Sequence, residues 1–228
     1  MRKNTPGLKM LQFLNVIEVN PYDYSEKEYD IPDTTKIENP EEWNEFWLQC
    51  ISDRNLGNLK SIYQGSYLVD IRTIDDFELE TILKTELEEV EFDEYEDQVG
   101  SLDGGIVIKS GNSIIITPMC CGDIGNLREW EKILESQNSI WKQLWIGHPW
   151  IFYRRANGFI EISNYTESNL DDFNDIQAKY KLPEKEFVLE LRKIREQQNE
   201  FENQIYRILD KMKITKAKEI AKLLTGNL

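Results

Sequence analysis

The chain has 228 residues, with 42 acidic and 27 basic side chains, one histidine and a formal charge of −15. Apolar residues make up 40% and aromatics 11%, with only 12 glycines and 7 prolines. That composition excludes a disordered tail protein, a collagen-like chain and a disulfide-stapled mini-protein, and it fits a globular protein large enough to bury a real core.

The opening stretch MRKNTPGLKMLQFLNVIEV starts basic and turns apolar, but Gln12 and Asn15 interrupt it and no small-residue cleavage site follows. It is not read as a signal peptide, and no apolar run approaches the roughly 20 residues that a membrane span needs. Residues 8–19 mix apolar doublets with polar singles and fit either helix or strand. Residues 20–38, polar and rich in tyrosine, predict an ordered loop. Asn39, Pro40 and Glu42 form a helix start signal, and Trp43, Phe46, Trp47, Cys50 and Ile51 make one apolar stripe, so a helix is expected over 40–52. Cys50 on that stripe reads as a small buried hydrophobe. Residues 66–72 suit a strand. Thr73 is the expected cap of a helix running to about Val90, and the acidic run EEVEFDEYED ends it in a loop.

The middle is rich in strand signals. GGIVIKSGNSIIITP predicts a hairpin about Ser110-Gly111-Asn112. A helix is expected over 127–136, with Asn126 and Glu129 at its start and Leu127, Trp130, Ile133 and Leu134 inward. LWIGHPWIFYRRANGFIEIS holds two or three strands, and its Asn157-Gly158 is the dipeptide preferred by a type I′ turn. Asn169 can cap a short helix containing Phe173 and Ile176, which Leu182-Pro183 breaks. From Glu184 a helix of about 28 residues follows, some 40 Å long. Its seam of Phe187, Leu191, Ile194, Gln198, Phe201, Ile205, Ile208 and Met212 is heptad-like, with Gln198 as the one interruption. The seam over 184–212 offers either a homodimer or packing on its own domain, and its shortness favours the latter. Thr215 restarts a final helix with Ala217, Ile220, Ala221 and Leu224 inward, stopped by Gly226. The expected fold class is α+β: an antiparallel sheet near 66–72 and 104–163, flanked by helices 40–52, 75–90 and 127–136. This domain occupies residues 1–167, and a helical C-terminal extension occupies 168–228.

Charge is unevenly placed. Residues 75–103 hold 13 acids and one base, and residues 20–50 hold 9 acids and 2 bases. Residues 104–165 are near neutral, with 5 acids and 6 bases. An anionic face attracts a basic protein partner and repels nucleic acid, although a charge run can also serve only as a solvated surface. The partner-binding candidates are Glu88, Glu89, Glu91, Asp93, Glu94, Glu96 and Asp97, with Tyr95 as an aromatic anchor.

The other candidates carry less chemistry. His148, the one histidine, sits in Gly147-His148-Pro149 without a nucleophile motif nearby, so a turn histidine is the simpler reading. A zinc site of His148, Cys120 and Cys121 lacks a fourth ligand. The loop Cys120–Gly125 precedes a helix and could hold an anion, but GxGxxG and the phosphate-loop lysine are missing, which favours a structural turn. The carboxylates at 86–97 lack the alternation and central glycine of a calcium loop. Arg154-Arg155 reads as a surface pair, and a basic stripe for nucleic acid is absent. Trp130, Trp141, Trp145 and Trp150 read mainly as core and secondarily as interface anchors. Three cysteines without CxxC spacing predict free thiols and a cytoplasmic protein. No catalytic residue, metal or cofactor is predicted.

The stretch from Gly104 to about Glu167, with its Gly-containing hairpins and interleaved Trp-bearing helix in an acidic whole, resembles proteins of the SUKH superfamily, the cell-wall-assembly-regulator-like group. The resemblance rests on pattern and implies an α+β fold. In bacterial members it implies an immunity protein that binds and neutralises a toxin, many such toxins being nucleases. The expected function is therefore a non-catalytic, acidic protein-binding module that occludes a basic, toxin-like partner, without nucleic-acid or membrane binding. The alternative is a small-molecule or anion-binding protein, or an enzyme, with a pocket near Cys120–Gly125 and His148.

Overall fold

A computed structural model describes residues 10–135 and 139–227. In chain order the elements are β1 (Leu11–Glu18), α1 (Pro21–Tyr24), α2 (Pro40–Ser52), β2 (Leu68–Asp70), α3 (Asp76–Glu86), α4 (Tyr95–Gln98), β3 (Gly104–Ser110), β4 (Ser113–Ile116), α5 (Leu127–Glu135), β5 (Lys142–Leu144), β6 (Ile151–Ala156), β7 (Phe159–Ile162), β8 (Tyr180–Pro183), α6 (Glu184–Lys211) and α7 (Ala217–Thr225). The fold is α+β, and the strands sort into two sheets rather than one, ordered β2-β1-β3-β4 and β5-β6-β7-β8. Contacts divide the chain into two compact units made of interleaved segments. Of the described residues, the first holds Met10–Leu14, Ile106–Gly122 and those of Asn126–Arg195, and the second holds Asn15–Gly105, Asp123–Gly125 and Glu196–Asn227. The boundary expected after residue 167 falls inside the first unit.

In the first unit, β5 to β8 form an antiparallel meander. Asn157 (φ 53°) and Gly158 (φ 79°) connect β6 to β7 with both residues in the left-handed region, as a type I′ turn requires. The core gathers Ile106, Ile108, Ile133, Ile151, Ile160 and Leu191 around Phe13, Trp130 and Phe187. The Phe13 and Phe187 rings meet edge to face at 5.3 Å, and Phe13 and Trp130 do so at 6.3 Å. Of the clustered tryptophans Trp130 is fully buried, whereas Trp145 is 36% exposed and stacks at 6.0 Å on half-buried Trp150. Arg154 pairs with Glu161 and lies over the Trp141 ring, while Arg155 pairs with Glu184. The basic doublet is therefore committed within the unit. The expected helix at 169–176 is only a 3-10 turn over Leu170–Asp172, and Leu182-Pro183, expected as a helix breaker, ends the edge strand β8. Proline lacks the N–H that an inner strand would need, so an edge strand is where it fits.

In the second unit, α2 begins where expected: Asn39 accepts from the Glu42 N–H, and Phe46, Trp47, Cys50 and Ile51 are buried. The Trp47 indole donates to the Val19 carbonyl at 2.8 Å. Helix α3 starts later than its expected Thr73 cap, because Thr73 is spent on a turn, its hydroxyl donating to the Asp70 carbonyl at 2.8 Å. Asp75 is the cap instead, in a reciprocal box with Glu78. The helix ends at Glu86 rather than near Val90. Glu86, Glu88 and Glu89 crowd carboxylates at a C-terminus whose dipole disfavours negative charge. The acidic segment beyond it contains one helical turn, α4, where a loop was expected.

The seam of α6 is buried inside the chain: Phe187, Leu191 and Ile194 in the first core, and Phe201, Ile205 and Ile208 in the second. Gln198 is only 1% exposed. It accepts from Asn15 Nδ2 at 3.0 Å and donates to the Thr225 carbonyl at 2.7 Å. Replacing it with leucine orphans a buried donor and a buried acceptor. Gln198→Leu should cost about 2–4 kcal/mol in urea unfolding, and Asn15→Leu in that background should recover part of the loss. An unchanged midpoint for Gln198→Leu would show that the amide is dispensable.

Candidate functional site

The acidic surface of the second unit is the candidate site. Of the residues singled out from sequence, Glu88, Glu89, Glu91, Asp93, Glu94, Glu96 and Asp97 are all exposed. The segment folds on itself: the Glu94 N–H donates to the Glu91 carbonyl at 2.8 Å, the Val99 N–H to Tyr95 at 2.9 Å, and the Glu91 N–H to Gln98 Oε1 at 2.8 Å. Among the described residues no lysine or arginine pairs with these seven carboxylates. Tyr95 corrects the expectation. It is 9% exposed, its ring belongs to the core with Val99 and Leu102, and its hydroxyl donates to Glu96 at 3.0 Å. It fixes the loop from below and offers no anchoring ring to a partner.

Four further carboxylates of the unit act on one another, and sequence reading missed them as a group: Glu18 at the end of β1, Asp23 in α1, Glu86 at the end of α3, and Asp103 before β3. The Glu18 N–H donates to the Asp103 carbonyl at 2.8 Å, which ties two of these segments together. Glu86 keeps contact with water, yet desolvation in its crowded surroundings, and then repulsion from Asp23 and Asp103, push its carboxyl up to about 7. Desolvation also raises Glu18, against the attraction of Lys36, and raises Asp103 with help from Asp23. Lys36 is itself held below its usual range by desolvation, with its ammonium 3.4 Å from the centroid of the Tyr67 ring. The hydroxyl of fully buried Tyr24, near Glu86 and Asp23, has no hydrogen-bond partner among the described residues. Burial raises its pKa, and the nearby Glu86 and Asp23 charges raise it further. The two acid-rich stretches of the sequence were the available signal, since Asp23 lies in one and Glu86 and Asp103 in the other. Only the fold brings them within range of each other.

Of the alternative residues, His148 and Cys120 are brought together through the backbone, the His148 N–H donating to the Cys120 carbonyl at 2.7 Å. His148 is half exposed, edge-on to Trp150 at 5.2 Å, with Nδ1 3.8 Å from Glu167. Gly125 has a packing role, since an added Cβ would lie 3.1 Å from Gly226 Cα. Two clefts occur elsewhere. One of about 440 Å³ in the second unit is lined by Ile71, Arg72 and α6 side chains including Gln197, Gln204 and Arg207. One of about 280 Å³ in the first unit is lined by Phe152, Tyr165, Phe173 and Ile176. Neither is lined by Cys120–Gly125 or His148. Among the described residues no group of three His, Cys, Asp or Glu side chains is arranged as metal ligands, and no helix is long and apolar enough to cross a membrane.

The raised pKa of Glu86 has a stability consequence. The unfolded chain loses that proton near 4.5 and the folded chain near 7, so the contribution is full below about 4.5 and is lost as pH rises through 7. Urea midpoints at pH 5 and pH 8 should therefore differ less in Glu86→Gln than in the wild type. The variant should be the more stable at pH 8 by about 1 kcal/mol, well below full linkage because the carboxyl is open to water. Equal pH dependence in both proteins would show that the Glu86 carboxyl is not raised by its surroundings. No protein-family model, curated protein or solved structure matches the chain.

Proposed function

We propose that the protein is a non-catalytic, acidic binding module of the immunity type, which occludes the basic surface of a toxin-like protein partner. The observation that carries this reading is the absence of internal neutralisation. Seven exposed carboxylates over 88–97 have no basic partner among the described residues, and four more in the same unit act on one another, three of them with pKa raised first by desolvation and further by neighbouring carboxylates. A cationic partner surface would supply the missing counter-charge, speed encounter and select against wrong partners. The SUKH resemblance of residues 104–167 supports the same reading. Cys50, Cys120 and Cys121 are in no disulfide, in keeping with action in the cytoplasm.

The test is association with the purified product of the adjacent gene, followed by stopped flow across a salt series. The on-rate should fall by about tenfold or more between low and high salt. The variant Glu91→Lys/Asp93→Lys/Glu94→Lys/Asp97→Lys should lose on-rate more than it gains off-rate. Binding that ignores both salt and charge reversal would overturn the electrostatic mechanism.

A further inference from the structure

The loop Met119–Gly122 of the first unit holds two exposed thiols in contact, with Cys120 Sγ and Cys121 Sγ 3.4 Å apart. It is clasped from both sides. The Met119 N–H donates to the Ile146 carbonyl at 2.8 Å, the His148 N–H to the Cys120 carbonyl at 2.7 Å, and the Gly122 N–H to Met119 at 2.8 Å. Gly147 packs so closely that an added Cβ would lie 2.3 Å from the Met119 carbonyl oxygen. Cys121 has φ 64°, a left-handed conformation that a side-chain-bearing residue keeps only when its surroundings impose it. The backbone thus fixes the direction of both Cα–Cβ bonds and keeps the two side chains neighbours.

Two thiols in contact become a disulfide only when an oxidant takes two electrons, and neighbouring residues are poorly built for one. Their Cα atoms are about 3.8 Å apart across a trans peptide, whereas disulfides prefer about 4.4–6.8 Å. The small ring that a bridge would close is strained, and a strained bridge is readily reduced. An ion placed between the sulfurs closes a ring one atom larger, with the exposed side chains free to turn apart to admit it. Thiolates select soft ions, and a soft monovalent ion accepts two ligands. The zinc reading failed for want of a fourth ligand, a requirement that does not apply to such an ion. We propose that Cys120 and Cys121 form a two-thiolate site for a soft thiophilic metal ion of the Cu(I) class. On binding, two S–H bonds break and two S–Cu bonds form, both protons pass to solvent, and the copper stays Cu(I). The site is independent of the acidic surface of the second unit, so either reading can fail without the other.

The test is an anaerobic titration of the reduced full chain against Cu(I) held by the chromophoric chelator bicinchoninate. Wild type should withdraw one equivalent. Cys120→Ser and Cys121→Ser should each weaken the competition about 10²–10⁴-fold, the loss expected when a second tethered ligand is removed. Cys50→Ser, which alters a buried thiol elsewhere, should compete like the wild type, and thermal melts of all three variants should confirm folding. Equal competition by the wild type and by both Cys120→Ser and Cys121→Ser would overturn the proposal. So would rapid loss of two free thiols in air-equilibrated wild type but not in Cys120→Ser, because the pair would then be a redox couple rather than a metal site.

Discussion

A single side-chain amide decides how the second unit closes. Gln198 sits on an otherwise apolar helix face, where leucine or isoleucine would continue the stripe. Its oxygen receives the Asn15 amide and its nitrogen gives to the end of α7, so one residue joins strand β1, helix α6 and the C-terminal helix. Hydrophobic burial alone is indifferent to small slips of a long helix along a core. A buried amide is not, because any slip leaves its donors and acceptors without partners in a place that water does not reach. A polar residue on an apolar seam acts as a register key in the same way. Asn227 extends the network by donating to Glu202 at 2.7 Å.

Against that frame the two units treat charge differently. In the first, buried Glu161 is met by Arg154 and Lys181, Arg155 by Glu184, and Arg195 by Glu131. These pairs are local and satisfied. In the second, Lys84 and Lys211 converge on Glu80, and Lys27 reaches Asp53, but among the described residues the carboxylates of 88–97 receive no cation. Exposed acids of this kind cost little while solvated and screened. They become energetically important when a second molecule excludes the water.

Much of the architecture could be read from residues whose signals agree. At 40–52 the cap, the proline and the apolar stripe point the same way, and the helix occupies that span. Asn157-Gly158 combines a turn dipeptide with flanking strands, and its dihedral angles follow. Where signals competed, reading failed. Thr73 and Asp75 both suit a helix start, and the nearby Asp70 carbonyl claimed the threonine hydroxyl. Tyr95 looked like an exposed ring because acids surround it in sequence, although Tyr95 and Val99 are four residues apart and both buried, which marks an inward face. The association of Glu18, Asp23, Glu86 and Asp103 was illegible for another reason. It depends on strand pairing and helix placement between distant segments, which no local pattern encodes.

The end of β8 has a consequence for crowded conditions. The outer strand of the second sheet would expose unpaired backbone groups along its free side, the kind of rim on which a neighbouring chain can nucleate fibrous growth. Here that rim is four residues long, carries Lys181, closes on Pro183 and passes at once into α6, whose first N–H is taken by the Gly158 carbonyl at 3.0 Å. A strand so short, so charged and so abruptly ended is a poor template, and cross-β growth should not start from this edge even when the protein is concentrated.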